Sequence, residues 1–331
     1  MNSFGRIFRV QIFGESHGFA VGVTIDGCPS GIPISEQDFK ADIDRRRPGK
    51  TGTTNRKEED LPVIISGVYN NYTTGSPITI LFYNKDVKSE DYNNLHTHPR
   101  PGHADFTAKT KFKSYNDMRG GGHFSGRLTL PIVAAGVIAK KNLNNLEINA
   151  NLIEVGGEKN IENAVKKAIE QSESVGGIIE CKTDGIPVGW GEPFFDSVES
   201  VISHLAFSIP AIKGIEFGNG FFSAKNFGSI QNDIIVDESG KTKTNNSGGV
   251  NGGITNGNQL VFRVAVKPGS SIGLPQSTFN FEENQMKDLI ITGRHDICIA
   301  LRVPVVIESI TAIALADFKM IFEGNNFSIS K

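Results

Sequence analysis

Residues 119–143 read RGGGHFSGRLTLPIVAAGVIAKKNL, and the fold class is decided in the second half of this stretch. From about residue 125 to 143 it is a strongly apolar helical run, and Pro131 falls near its start, where the first turns of a helix tolerate a proline. Toward the N-terminus, residues 7–13, 20–26, 62–68 and 77–83 read as apolar strands bounded by turn residues. Ser35, the acidic residues after it, and then Phe39 and Ile43 read as an N-capped helix that ends in Arg45-Arg46-Arg47 ahead of Pro48-Gly49. Residues 85–117 are the most polar stretch of the first half.

Toward the C-terminus, a strand from Glu147 is followed by a helix over about 162–173, a strand over 178–182 and an amphipathic helix over 198–207. A polar, glycine-rich loop (237–258) then leads into a strand at 260–266, and a last helix covers about 308–322. Helices and strands are interspersed, with no repeat, charge block or Pro-rich linker. The expectation is one α+β domain over residues 1–331.

At 331 residues, 38% of them hydrophobic, a chain of this size buries about three quarters of its unfolded surface and needs no covalent staples. Thirty-four Lys+Arg against 36 Asp+Glu leave a net charge of −2, so no global field holds nucleic acid or a membrane surface, and an anionic ligand must be held by a local cluster. Cys28, Cys181 and Cys298 are odd in number, far apart and without metal-ligand spacing, which argues against a disulfide framework or a zinc site and for a reducing compartment. The first residues lack a signal-peptide pattern and no apolar run reaches spanning length, so the expected location is cytoplasmic. Glycine is the outlier, 37 residues or about 11% against a usual ~7%.

The glycines collect where the chemistry-bearing residues do. Gly14-Glu15-Ser16-His17-Gly18 places an imidazole between two glycines on a turn between strands, although a single turn histidine is more often a satisfied surface group. Arg45, Arg46 and Arg47, with Arg56 and Lys57 beyond, offer fork-shaped donors to phosphate or carboxylate, and equally complement a helix C-terminus. Arg100-Pro101-Gly102-His103-Ala104-Asp105 sets an imidazole beside a carboxylate that can orient it for proton transfer. Arg119–Arg127 runs into a helix start with backbone N–H groups and a hydroxyl, which makes an anion site, but has neither the P-loop nor the Rossmann glycine order. Lys267–Ser271 and Gly293-Arg294-His295-Asp296, with Arg302 downstream, add two more polar turns. Together these turns predict a pocket for a ligand with several anionic groups, with histidine moving protons.

In chain order, GESHG, DRRRPG, RPGHAD, RGGGHFSGR, GGVNGG, KPGSS and GRHDICIALRVP resemble the chorismate synthase family across essentially the whole chain. The resemblance implies a β-α-β-α sandwich in a single domain, a homotetramer, and FMN in its reduced form as a cofactor that is not consumed. It implies a 1,4-anti elimination of phosphate from 5-enolpyruvylshikimate 3-phosphate. By the same resemblance His17 protonates the leaving phosphate, His103 protonates the reduced flavin and Asp296 lies near flavin N5. Arg46 clamps the substrate, with Ser16, Arg45, Arg100 and Arg127 completing a basic floor. FMN contacts map to His123, Phe124, Ser125, Gly252, Lys267, Pro268, Gly269, Ser270, Ser271 and Arg294. Many members carry Arg-Ser-Ser where this chain has His123-Phe124-Ser125, and the segment after DRRRPG is shorter here and lacks a second arginine. No added NADPH-binding unit is evident, so the reductant is expected to be external. The alternative is a non-catalytic flavin- or anion-binding protein on the same fold.

Overall fold

The structure, a computed structural model, describes residues 2–54, 56, 58–86, 95–144, 146–291 and 295–325. The first half contributes strands β1 (Ser3–Phe4), β2 (Arg9–Gly14), β3 (Ala20–Asp26), β4 (Val63–Ser66) and β5 (Ile78–Tyr83), with helices α1 (Lys40–Arg46), α2 (Asp105–Lys111) and α3 (Thr129–Leu143). The second half contributes β6 (Glu147–Val155), α4 (Ile161–Glu170), β7 (Gly177–Asp184), α5 (Val198–Ser208), β8 (Ile212–Phe217), β9 (Leu260–Val266), the hairpin β10 (Gln276–Asn280) and β11 (Gln285–Leu289), and α6 (Pro304–Asn325).

The two larger sheets are antiparallel, ordered β1-β2-β3-β5-β4 and β8-β9-β7-β6. Each turns one face inward by the period-2 alternation of its strands. Val21, Val23 and Ile25 of β3, and Ile78, Ile80 and Phe82 of β5, are buried on the first sheet, as are Ile179 and Cys181 of β7 on the second. Between the sheets lie α3, packed on the first, and α6, packed on α3 and the second. Every residue from Thr129 to Ala139 and from Val305 to Phe318 is buried, as expected of helices with apolar residues on every side, and the buried carboxylates of α6, Glu308 and Asp317, accept hydrogen bonds from Arg45 and from the backbone of residues 6–8. Each fully buried Ile, Leu or Phe here contributes about 1.5–3 kcal/mol. The two helices approach closely because Gly136 faces Ser309: a Cβ on Gly136 would lie 2.3 Å from Ser309 Cβ.

The architecture is the expected α+β sandwich, and most elements fall within a few residues of their expected positions. The Ser35 cap is a capping box closed by Asp38, preceding a 3-10 turn and α1. Helix α6 begins four residues before the expected start, with Pro304 at its first position, where the missing N–H has no partner to lose. Strand β8 and the β10–β11 hairpin were not anticipated, nor was α2 inside the polar stretch 85–117. Among the described residues no helix is long and apolar enough to cross a membrane.

Candidate active site

A cavity of about 830 Å³ opens where the glycine-rich turns converge. Its organising piece is the run Gly120-Gly121-Gly122, whose φ values of 60°, 83° and 53° lie where side chains are disfavoured. A Cβ on Gly120 would sit 2.0 Å from His17 Nδ1, and one on Gly121 3.6 Å from His103 Cε1. The two histidines, far apart in sequence, are therefore seated on adjacent glycines.

His17 and Ser16 are buried, and His17 Nδ1 is 3.3 Å from Ser16 Oγ. The turn is pinned by Ser16 N donating to Gly122 O (3.0 Å) and by Arg56, whose Nη1 and Nη2 donate to Ser16 Oγ (3.2 Å) and Ser16 O (3.3 Å).

His103 Nδ1 lies 2.6 Å from Asp105 Oδ1. Arg100 also holds Asp105, through Nε (2.8 Å), Nη2 (2.8 Å) and its backbone N (3.1 Å). Burial would raise the Asp105 carboxyl, but the hydrogen bonds from Arg100 and His103 outweigh it and hold the group well below the usual carboxylate range. The loop after β9 is stitched to this turn: Arg100 Nη1 donates to Ser271 Oγ (3.3 Å), Ser270 Oγ to Gly102 O (2.8 Å), and Lys267 Nζ to Ser270 Oγ (2.9 Å). Burial and the neighbouring Lys213 lower the Lys267 ammonium below its ordinary value.

The basic wall is built on the C-terminus of α1 and the start of α3. Arg46, 5% exposed, donates through Nε to Thr129 Oγ1 (3.0 Å) and through Nη2 to Gly126 O (2.9 Å). Burial, with the charges of Arg302 and Arg127, outweighs the pull of Asp60 and brings Arg46 down to about 9, so it stays charged at neutral pH. Arg127 donates to Asp60 and, through Nε, to Asn84 Oδ1 (3.0 Å). Asp296 accepts from Thr54 N (2.9 Å) and Arg302 Nη2 (2.6 Å). Among the described residues, Arg127 Nη2, Arg56 Nε, Arg302 Nε and His295 Nδ1 are buried with no hydrogen-bond partner, and all four residues line the cavity. An unsatisfied buried polar group costs about 1–3 kcal/mol, more when charged, so the guanidinium charge gathered in this wall favours an anion in the cavity.

Ser16, His17, Arg46, Arg100, His103, His123, Phe124, Ser125, Arg127, Lys267, Gly269, Ser270, Ser271 and Asp296 all line this cavity. Arg45, expected on the substrate floor, is not among the wall residues. One residue along α1 is a rotation of about 100°, and it turns Arg45 onto the buried carboxylate of Glu308 in α6, at 2.7 and 2.6 Å. Gly252 is also not among the wall residues and lies in the tight turn between the short strands Val250–Asn251 and Ile254–Thr255. Pro268 is not in the wall although its neighbours are, and Arg294 lies outside the described residues. His123 sits at the cavity edge, with Nδ1 2.8 Å from Gly14 O and Nε2 3.1 Å from Asn2 Oδ1, fastening the glycine turn to β2. Thr54, Asp60, Asn84 and Thr129 were missed. Asp60 in particular closes the run Glu58-Glu59-Asp60, in which no local pattern marks it as buried.

The family model described as chorismate synthase matches residues 8–320 of this chain. The chain belongs to the chorismate synthase family. A chorismate synthase of Chitinophaga pinensis is 59% identical over 98% of this chain and 98% of that protein. One from Korarchaeum cryptofilum is 42% identical over 96% of this chain and 97% of its own length. A solved structure titled as the crystal structure of chorismate synthase superposes with a TM-score of 0.75 at 27% identity, covering 97% of this chain and 94% of that one. The family members thus share the whole framework on which the cavity is built, and not merely one motif.

Proposed function

We propose that the protein forms chorismate by 1,4-anti elimination of the 3-phosphate and a C6 hydrogen from 5-enolpyruvylshikimate 3-phosphate, with reduced FMN in the same cavity. The observation that carries this reading is the seating of His17 and His103 on adjacent glycines, inside a wall of buried guanidiniums with unused donors. The residues fit a phosphorylated, planar cofactor together with an anionic substrate. Serine hydroxyls and Lys267 line the cavity together with the apolar side chains of Leu128, Ile132, Ile299, Val306 and Ile310. The volume is near the top of the ~300–1,000 Å³ range of ligand pockets.

Ser125, Lys267, Ser270 and Ser271 would hold the cofactor, and Arg46, Arg100 and Arg127 the substrate. When bound, reduced FMN supplies electron density to the substrate ring and recovers it, so the reaction has no net redox change. His17 gives a proton to the departing phosphate oxygen, which reduces the charge that develops as the bond breaks. His103, fixed through Nδ1 by Asp105, keeps Nε2 to hold a proton beside the cofactor. Asp296, oriented by Thr54 and Arg302, presents a carboxylate to the same space. Arg46 and Arg127 align the anionic groups so that binding energy is spent on the departing phosphate. The resemblance further supports a single-domain, monofunctional, cytoplasmic homotetramer that receives reduced FMN from a separate reductant.

The test is anaerobic: purified protein, chemically reduced FMN and the enolpyruvyl substrate, followed by phosphate release and chorismate absorbance, with oxidised FMN as control. Turnover with reduced flavin only is expected. Binding of both ligands without phosphate release would refute the reading.

A further inference from the structure

Asp60 stands in the segment leading into β4, is 4% exposed and has a left-handed backbone with φ 48°, a conformation in which Asp is enriched among non-glycine residues. Its Oδ1 accepts from Arg127, while its Oδ2 lies 3.5 Å from Arg46 Nη1 and 4.0 Å from Arg47 Nε. One carboxylate therefore faces three guanidiniums, which is more cation than a simple ion pair needs. Arg46 is already fixed by Thr129 and Gly126 through its other nitrogens, and Arg127 by Asn84. Asp60 bridges the two forks, one oxygen to each, and among the described residues the buried Nη2 of Arg127 has no partner.

We propose that Asp60 is a positioning residue for the elimination: it sets the spacing of the Arg46 and Arg127 forks so that they match the anionic groups of the substrate. The proposal rests on the chorismate-forming reading. It separates two properties that usually move together. A compact anion such as orthophosphate responds chiefly to the charge of the cluster. A substrate that carries phosphate and carboxylates on one ring responds to the spacing of the forks.

Asp60→Asn keeps the side-chain shape and tolerates positive φ, and Asp60→Gly keeps the backbone while removing the side chain. For both, direct binding of orthophosphate and of the enolpyruvyl substrate is measured by calorimetry on the FMN-loaded protein, alongside KM and kcat. The expected result is a substrate Kd and KM raised on the order of tenfold or more, with orthophosphate binding unchanged or tighter, because a negative charge has left the site. Orthophosphate should also raise the Tm of the variants more than that of the wild type, since it replaces a lost counter-charge. Substrate affinity within twofold of wild type overturns the proposal, and so does a parallel loss of both affinities, which is the mark of a merely structural residue. If the wild type binds substrate but does not turn over, the functional reading fails, and the two Kd values still decide the role of Asp60.

Discussion

Replacing Asp105 by Asn removes one charge from the centre of the RPGHAD turn and leaves its shape. In the wild type this carboxylate takes hydrogen bonds from Arg100 Nε, Nη2 and backbone N and from His103 Nδ1, with side-chain exposures of 7% for Arg100 and 3% for Asp105. Removing one member of a buried pair costs about 3–5 kcal/mol because the other charge is left uncompensated. The amide retains an acceptor for part of this set, which places the expected loss at the lower end. The Asp105 carboxyl is depressed in the folded state. Its contribution is therefore fully present above the ordinary carboxylate value of about 3.9 and is lost as pH falls below it. The wild-type advantage in Tm should be whole at pH 7 and should shrink toward the variant in acid below about pH 4. For catalysis, an imidazole whose Nδ1 is no longer fixed loses its orientation, and kcat should fall by about 10²–10⁴-fold while KM changes by only a few fold. The assay is anaerobic stopped-flow phosphate release, at a temperature well below both melting transitions. A variant that is destabilised as expected but keeps wild-type kcat would show Asp105 to be a staple for the turn and would refute its role in holding His103.

His17→Ala should keep FMN binding, read by flavin absorbance, while slowing turnover by about 10²–10⁴-fold; wild-type turnover would remove His17 from the mechanism. Gly120→Ala places a methyl group 2.0 Å from the His17 ring at a φ of 60°, so it should reproduce the kinetic defect of His17→Ala with the imidazole still present, and full activity would show that the seat is dispensable. Arg45→Ala should lower stability by about 1–2 kcal/mol in urea unfolding through its lost bonds to Glu308, with substrate KM unchanged; a KM raised tenfold would return Arg45 to the site.

The outline of the fold was legible because its deciding signals are local. A run as apolar as residues 129–139 must be buried on every side, and the alternation in β3, β5 and β7 tells which face each sheet turns inward. Strand β8 and the β10–β11 hairpin were not legible for the opposite reason. Residues 276–289 carry Gln, Ser, Thr, Asn, Glu and Lys, and the hairpin is held partly by long-range bonds such as those of His98 Nε2 to Thr278 O and Lys287 O, which no local pattern records.

The same division runs through the site. Turns with a glycine beside a histidine announce themselves, because the chain there must admit a close neighbour, and Gly120 does so for His17. Adjacent arginines do not announce which of them will be used. Arg45 and Arg46 have the same chemistry and the same helix end, and differ only in direction. The direction is set by Glu308, some 260 residues away, which captures Arg45, and by Thr129 and Gly126, which receive Arg46. Asp60 was not legible for a related reason: no local pattern marks it as buried, and only the arrival of Arg46, Arg47 and Arg127 from other elements makes it a buried counter-ion. The groups that bind and move protons are thus visible in the chain, while the groups that aim them become visible only when distant elements meet. For that reason the Asp60 and Asp105 variants, more than another substitution of a histidine, test whether this cavity works as the geometry requires.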